Sequence, residues 1–536
     1  MQTRRTGSRD SFLLALVALA SWLLALAPAG TARADDYLDR VNAMFRGIPD
    51  SNRSDLVVLP VLANMQPAPA EIRDTEFAML VTTSHPAWGT LEAWAKAEPQ
   101  QAVIKAIHDV TREEDFRKAM VFAQGYGVEA VASNPEFIEK GMYTDLGEPP
   151  TLAAAKHLYL PAIKRAMILG HIEATRLLAA GDPKGAIDLL FDFLYFARQF
   201  ADRPFLEEKH LGMQNVRETL VRIRDVAYQD SRAEKRALKA DDIKNWIKRL
   251  DPEKGYVSVD RLRLPEANLI AAEQLVHRVM IKAQGVNDEV FSATLARISG
   301  GDKPLRILSE SAYWDRVKRQ HADYYTTMDQ LIGKQADGGI RADWNRLWAL
   351  DPFDPLLRRP SAFAARILNG DRFAVLRLTL DGIDDLFPLR MALRAEISGT
   401  RVSLGIYGYY IQTNGSWPRD ITSIRPEFMS VVDLDPYNAR KRNRLDFFVP
   451  TRERPPHGPR GEEIPFELRV WPVGRPNFSI RLRSDQFVLY SVGPNDQNDL
   501  GTDATQGDTS ADGDYLMWPP VISLVRKYLQ DQGQQP

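Results

Sequence analysis

An acidic loop near the C-terminus carries the residues of this chain that are best suited to chemistry. Six aspartates lie between Asn495 and Tyr515, and no basic residue interrupts them. The apolar segments "FVLYS" and "YLMW" flank the loop on its two sides. Gathering these carboxylates costs like-charge repulsion unless a cation neutralises them. The pattern therefore predicts either a bound cation or a solvated acidic loop.

Calcium is the cation that this loop fits, because it takes oxygen ligands from carboxylates, carbonyls and water. Four aspartates on the two arms of the loop are the predicted ligands: Asp496, Asp499, Asp512 and Asp514. Asp503 and Asp508 lie in the middle of the loop and are predicted to be solvated. The loop lacks the ligand spacing of an EF-hand.

The rest of the sequence predicts no catalytic residue. The chain has no cysteine, and its eight histidines form no H-E-x-x-H pair. A nucleophile elbow and a Gly-rich phosphate loop are also missing from the sequence. The formal net charge of −2 provides no field that would attract nucleic acid. A basic, Pro-rich insertion at 438–465 reads as a solvated excursion or, alternatively, as a site for an anionic polymer.

The N-terminus predicts export. Arg4, Arg5 and Arg9 precede an apolar run from Phe12 to Ala27, and the sequence "ARA" at 32–34 follows it. This order is that of a cleaved signal peptide, so residues 1–34 should be removed and the mature chain should begin at Asp35. The alternative is an uncleaved membrane anchor, for which the run is short. No later segment could span a bilayer, and we expect a periplasmic or extracellular location.

Helical periodicity predicts most of the fold. Residues 35–150 read as an irregular, mainly helical region and residues 151–375 as a helical bundle. In "GDPKGAIDLLFDFLYFARQF", Asp182 is a good N-cap and Pro183 suits the first helical position. After Pro204, a second helix carries Val216, Leu220, Ile223 and Ala227 on one face. The pair predicts a helical hairpin that resembles a tetratricopeptide unit, although no further copy follows at a fixed period.

The pattern changes in residues 376–536. A 3.6-residue apolar period runs from Leu386 to Ile411 and should end at Asn414-Gly415. A period of two follows in the segments at 466–471, 478–483 and 486–491, as in antiparallel strands with one solvated face. The predicted fold is therefore mostly α with a C-terminal α+β module, in which one long helix packs on a small antiparallel sheet.

The C-terminal module resembles a known family. Its ordered motifs are "YYIQTNGSWPRDITSI", "DLDPYN", "FVLYSVGPNDQND" and "DGDYLMW". This order is similar to the periplasmic domain of the type II secretion major pseudopilin, a module also joined to helical regions in large exported planctomycete-type proteins. The likeness covers about 380–520, less than a third of the chain. It implies a calcium loop and adds Asn495 to the ligands. A pseudopilin leader and polymerising helix are missing, so the resemblance does not imply assembly into a pilus.

These observations predict an exported, non-enzymatic interaction or scaffold protein that binds calcium, with a protein partner in a groove of the helical bundle. The alternative is a secreted hydrolase with its site between the helical region and the C-terminal module. A polar pocket with converging titratable groups would favour the hydrolase. A broad apolar groove would favour the scaffold.

Overall fold

The computed structural model describes residues 34–534, apart from 73, 149, 254, 276–381, 439–440, 451–465, 483–485, 496 and 507–512. Residues 1–33 of the predicted signal peptide and residues 276–375 of the predicted bundle lie outside the described residues. Among the described helices, none combines the length and the apolar character that crossing a membrane requires.

Helices make up most of the described chain. They are α1 Ala34–Asn42, α2 Asp55–Ala63, α3 Thr75–Leu80, α4 Trp88–Lys96, α5 Glu98–Thr111, α6 Pro135–Glu139, α7 Leu160–Ala179, α8 Pro183–Ala201, α9 Leu206–Arg232, α10 Ala240–Arg249, α11 Glu266–Leu275, α12 Leu386–Gln412 and α13 Val521–Asp531. The strands are β1 Thr144–Asp145, β2 Lys156–His157, β3 Asp446–Phe448, β4 Phe466–Trp471, β5 Phe478–Leu482, β6 Val488–Ser491, β7 Asp503–Thr505 and β8 Asp514–Trp518. The predicted fold class, mostly α with a C-terminal α+β module, is confirmed.

The helical hairpin of α8 and α9 forms the centre of the helical region. Asp182 caps α8, because its side chain accepts a hydrogen bond of 2.8 Å from the backbone N–H of Gly185. The four apolar residues predicted to share a face of α9 are all buried. The two helices approach closely at Gly212, where a Cβ atom would collide with the backbone of Ala201.

The long helix α12 begins and ends close to the predicted residues. Its apolar face is buried, and the chain leaves the helix through Asn414 and Gly415, with φ angles of 54° and 101°. Such angles belong to the left-handed region that asparagine and glycine tolerate. α12 packs against α9 and α10 on one side and against β6 and β8 on the other.

The C-terminal sheet has six strands in the order β3-β6-β8-β7-β4-β5. It is mixed rather than antiparallel as predicted, because β7 lies between β8 and β4 and runs parallel to both. The remaining pairs are antiparallel. The sequence reads β7 as part of the acidic loop, and this short strand accounts for the difference.

The sheet is covered on both faces at its centre. Leu489 and Met517 face the core that includes α12, whereas Val488 and Leu516 face the core that includes α13. All four residues of β6 are therefore buried, and the predicted solvated face of this strand is wrong. The outer strand β5 does alternate between buried and exposed residues, as the period of two predicts.

The C-terminal helix α13 was not predicted. Pro520 precedes it, and its apolar residues Val521, Ile522, Leu524 and Val525 are buried. A single apolar core includes residues of the helical region and of the C-terminal module, from Val58 to Trp518. The predicted boundary near residue 375 lies outside the described residues and stays a prediction.

Candidate functional sites

Asp514 is the structural centre of the acidic loop. It begins β8, is fully buried, and accepts a backbone hydrogen bond on each carboxylate oxygen. The N–H of Asp499 donates to Oδ1 at 3.2 Å, and the N–H of Gly501 donates to Oδ2 at 2.7 Å. The turn between these donors uses left-handed φ angles at Leu500 and Gly501. The carboxylate therefore fixes the first arm of the loop against β8.

The surroundings of Asp514 are acidic. Burial raises the pKa of its carboxyl group to about 7, although the two backbone N–H groups act in the opposite direction. The nearby carboxylates of Asp499 and Asp446 raise the pKa further. Asp446 belongs to β3, and Asn498 donates to its Oδ2 at 3.1 Å. Because like charges and burial both disfavour the carboxylate, a cation here would offset an existing electrostatic cost.

The described residues bring together only part of the predicted calcium set. Asp499 and Asp514 lie together, whereas Asp496 and Asp512 lie outside the described residues. The Oδ1 atom of Asn495 accepts the N–H of Gln497 at 3.1 Å, and its buried Nδ2 has no hydrogen-bond partner. Among the described residues, no group of three or more acidic or histidine side chains is close enough to hold a metal ion. The donors present suit calcium in chemistry, and their number is incomplete.

Asp503 is not the solvated residue that the sequence predicts. It begins β7 and is half-buried. Its Oδ1 accepts a hydrogen bond of 3.1 Å from Nε1 of Trp471 and lies 3.4 Å from Nη1 of Arg469. Both partners belong to β4, which pairs with β7. Asp508, the other aspartate of the loop's middle, lies outside the described residues.

A second candidate site is a pocket of about 450 Å³ between the helical region and the C-terminal module. We call it the α9 pocket, because one face of α9 provides Gln214, Arg217, Glu218 and Val221. α3, α12, β8 and α13 form its other walls. The hydrolase alternative predicts a site at this boundary without naming any of its residues.

Glu396 is one of the carboxylates in the α9 pocket, and basic side chains lie beside it. It lies on α12, and its Oε2 is 2.5 Å from Nη2 of Arg224. The hydroxyl of Tyr515 donates to Oε1. Nε of Arg217 is 3.7 Å from the same carboxylate. Two guanidinium groups thus compensate the charge of Glu396, and with the Tyr515 hydrogen bond this residue links α9, α12 and β8.

Glu218 differs from Glu396 in its partners. The half-buried Glu218 accepts one hydrogen bond of 3.1 Å from Nε2 of Gln214. Within the part of the chain that the structure describes, no basic group lies within ion-pair distance of it. Burial raises the pKa of Glu218 to about 7, and the charges of Arg217 and Lys164 oppose this shift. Among the described residues, Glu218 is therefore an acid without a paired cation in a pocket that also has an apolar wall.

A third cluster surrounds Glu208 in the core of the helical region. Tyr126 donates to Oε2 at 2.6 Å, Arg203 donates to Oε1 at 2.7 Å, and Tyr159 also donates to Oε1. Burial alone would raise the pKa of Glu208, but Arg203 holds it below the usual range. Glu208 and its partners are buried, both carboxylate oxygens accept hydrogen bonds, and among the described residues only Nη2 of Arg203 in this cluster has no partner. The arrangement is that of a structural anchor.

A fourth cluster joins α9 to α13. Asp225 of α9 accepts two hydrogen bonds from Arg526 of α13, at 2.7 and 2.9 Å. Arg222 and Ser523 also donate to this carboxylate. Burial alone would raise the pKa of Asp225, but the guanidinium groups of Arg526 and Arg222 hold it well below its usual range. Sequence patterns do not reveal this cluster, because Asp225 and Arg526 are about three hundred residues apart.

Comparisons with known proteins add no relative to these observations. No family model matches the chain, and neither a curated protein nor a solved structure matches it. The resemblance to the pseudopilin domain therefore stays a prediction from the motifs.

Proposed function

We propose that this chain is an exported, non-enzymatic interaction or scaffold protein whose C-terminal module binds calcium. The proposal of export is based on the signal-peptide features of residues 1–34. The proposal of calcium binding is based on one geometric observation. The buried Asp514 carboxylate lies at the base of an acidic loop with the carboxylates of Asp499 and Asp446 in electrostatic range.

Calcium in this loop would have a structural role. Asp499 and Asp514 would be the described ligands, and Asn495, Asp496 and Asp512 would complete the proposed set. The ion would supply positive charge to a group of carboxylates that otherwise repel one another. The protein contributes the fixed position of Asp514, which two backbone N–H groups hold against β8. Calcium would then join the loop to the sheet, which would stabilise the surface that the loop presents to a partner.

The calcium proposal predicts a rise in thermal stability of the full mature chain. Extracellular calcium modules bind at about 10⁻⁴–10⁻³ M. Millimolar calcium would therefore stabilise the native state by roughly 0.5–1.5 kcal/mol. Thermal melting in calcium and in chelator measures this difference. Magnesium should have a smaller effect, because it requires tight octahedral geometry and retains its waters.

Three variants make this test specific. Asp499→Asn removes a carboxylate but keeps the backbone N–H that donates to Asp514, so it should abolish most of the calcium effect without unfolding the loop. Asp514→Asn should also abolish most of the calcium effect, and its melting temperature without calcium should be lower than that of the wild type. Asp503→Asn is the matched control, because Arg469 and Trp471 already hold this side chain. Equal calcium shifts in all three variants, or no shift in the wild type, would refute the calcium proposal.

The hydrolase alternative draws on the position and polarity of the α9 pocket. Hydrolysis by paired carboxylates needs one acid and one base that are both free to act. Glu396 is engaged by Arg224 and Tyr515, so Glu218 is the better candidate for contact with a ligand. One available carboxylate beside an apolar wall suits binding better than two-carboxylate hydrolysis, and we therefore favour the interaction protein.

A further inference from the structure

The α9 pocket has the size and composition of a small-molecule site. Pockets that bind such ligands have volumes of roughly 300–1,000 Å³, apolar walls and a few placed polar groups. Val221, Leu516, Val521 and Val525 form an apolar wall in the α9 pocket, and its volume is about 450 Å³. The wall comes from three elements, α9, β8 and α13. Asp225 and Arg526 join α9 to α13. Arg217 and Tyr515 join α9 to β8.

The two arginines of the pocket are already committed to protein partners. Arg224 pairs with Glu396 and donates to Oγ1 of Thr400 at 2.7 Å. Arg217 donates from Nε to the hydroxyl of Tyr515 at 3.3 Å and from Nη2 to the carbonyl of Gln506. An anionic ligand would therefore have to displace interactions that link α9 to the C-terminal module.

The carboxylate of Glu218 is in the opposite situation. Its one hydrogen bond comes from a neutral amide, and among the described residues it has no ion pair. The charged groups that act on its pKa are Arg217 on α9, Lys164 on α7 and Asp74 before α3, and His210 and Glu76 also line the pocket. None of these compensates the Glu218 carboxylate at ion-pair distance. A ligand that supplies a positive charge would complete the site.

We propose that the α9 pocket binds a small organic cation, with an ammonium group against Glu218 and an apolar body against Val221, Leu516 and Val525. This proposal is independent of calcium binding by the acidic loop. The ammonium group gains a charge-assisted hydrogen bond in partly desolvated surroundings. The apolar body replaces water on the wall formed by β8 and α13.

The pH dependence of binding provides a second signature. Burial raises the pKa of Glu218 to about 7. An ammonium ligand binds the ionised carboxylate, so its affinity should increase as the pH rises through this value. The affinity of a neutral ligand with the same apolar body should change little. The aliphatic ammonium itself stays protonated over this range, because amines of this type have pKa values above about 10.

The test uses three probes with one apolar body: n-hexylammonium, n-hexanol and n-hexanoate. Isothermal titration of the full mature chain should give millimolar binding for the ammonium probe, about tenfold weaker binding for the alcohol and the weakest for the carboxylate. Glu218→Gln should remove the tenfold advantage and the pH dependence, and leave the alcohol unchanged. Glu234→Gln alters an exposed residue just beyond α9 and is the matched control. It should change neither the tenfold advantage of the ammonium probe nor the pH dependence of its binding.

A variant of the apolar wall separates binding in the pocket from binding elsewhere. Val221→Trp fills the pocket from α9 and should abolish binding of all three probes, while circular dichroism confirms that the helices remain. Three results would overturn the proposal: hexanoate binding as tightly as hexylammonium, an ammonium advantage that persists in Glu218→Gln, or no binding of any probe at millimolar concentration. Each result can be obtained whether or not the acidic loop binds calcium.

Discussion

Replacing Arg526 with methionine tests how the C-terminal helix is attached. Arg526 is almost fully buried, and its guanidinium donates to both oxygens of Asp225. It also donates to the carbonyl of Leu80 at 2.9 Å and to that of Met79 at 2.6 Å. Methionine fills a similar volume but provides none of these donors. The variant therefore leaves a buried carboxylate with fewer cations and two carbonyl groups with fewer donors.

The burial of Arg526 and Asp225 determines how much stability the Arg526→Met variant should lose. Removing one partner of a buried ion pair typically costs about 3–5 kcal/mol, because the other charge stays buried without compensation. Arg222 and Ser523 remain on Asp225 and reduce this cost. The two carbonyl groups add to it. We therefore expect Arg526→Met to lower the free energy of unfolding by about 3 kcal/mol or more.

Lys527→Met is the matched control for this prediction. It removes the same charge from the next residue of the same helix. Lys527 lies 3.7 Å from Asp531, and both side chains are more than half exposed. An exposed pair of this kind contributes roughly 0–1 kcal/mol. Lys527→Met should therefore change the free energy of unfolding only slightly. Added salt should remove the difference between this variant and the wild type.

Urea unfolding followed by tryptophan fluorescence measures both variants. Trp518, on β8, is buried against Tyr228 of α9 and Phe487, so its emission reports the loss of the core on unfolding. A large decrease in midpoint for Arg526→Met, with a small one for Lys527→Met, would support the reasoning. Equal decreases, or a decrease below about 1 kcal/mol for Arg526→Met, would show that the pair does not anchor α13.

The remaining predictions concern His171, export and the independence of the module. Both ring nitrogens of His171 are buried without a partner, and burial, then Arg222, lowers its pKa to about 3. As the pH falls, the unfolded state binds a proton at this histidine before the folded state does. The free energy of unfolding should therefore decrease by about 2 kcal/mol between pH 7 and pH 5 because of this residue alone. Urea unfolding of His171→Leu should lack that part of the pH dependence. N-terminal sequencing after expression in a bacterial host should give Asp35; a product retained in the membrane that begins at Met1 would contradict export. A fragment of residues 376–536 should lack a cooperative thermal transition, because Glu396 and Arg526 lose their partners on α9; a cooperative melt with mixed helix and strand ellipticity would refute this.

Local patterns account for the parts of the fold that the sequence predicted. The 3.6-residue period of α12 and the N-cap of α8 depend on neighbouring residues, so they are visible without a partner. The period of two in β5 is also local and holds because this strand has one exposed face. β6 is covered by a helix on each face of the sheet. The alternating pattern of its sequence therefore does not indicate which face is exposed to solvent.

The acidic loop shows the same limit at a candidate site. The sequence placed Asp499 and Asp514 together, because both lie beside the apolar flanks of the loop. It failed for Asp503, since the partners of that residue are Arg469 and Trp471 on a strand more than thirty residues earlier. Composition alone cannot distinguish an aspartate that awaits a cation from one that already has a basic neighbour.

The buried polar groups explain why the helical region and the C-terminal module have fixed relative positions. Apolar packing would allow α12 and α13 to slide along α9 at modest cost, because it has little directionality. The pairs Asp225–Arg526 and Arg224–Glu396 are directional, and each charge is costly to leave without its partner. Together they define one register of the module on α9. Arg224 and Glu396 line the α9 pocket, and so does Val525, the neighbour of Arg526 on α13, so the shape of the pocket depends on the same interactions. A ligand in the pocket and the attachment of α13 should therefore be coupled.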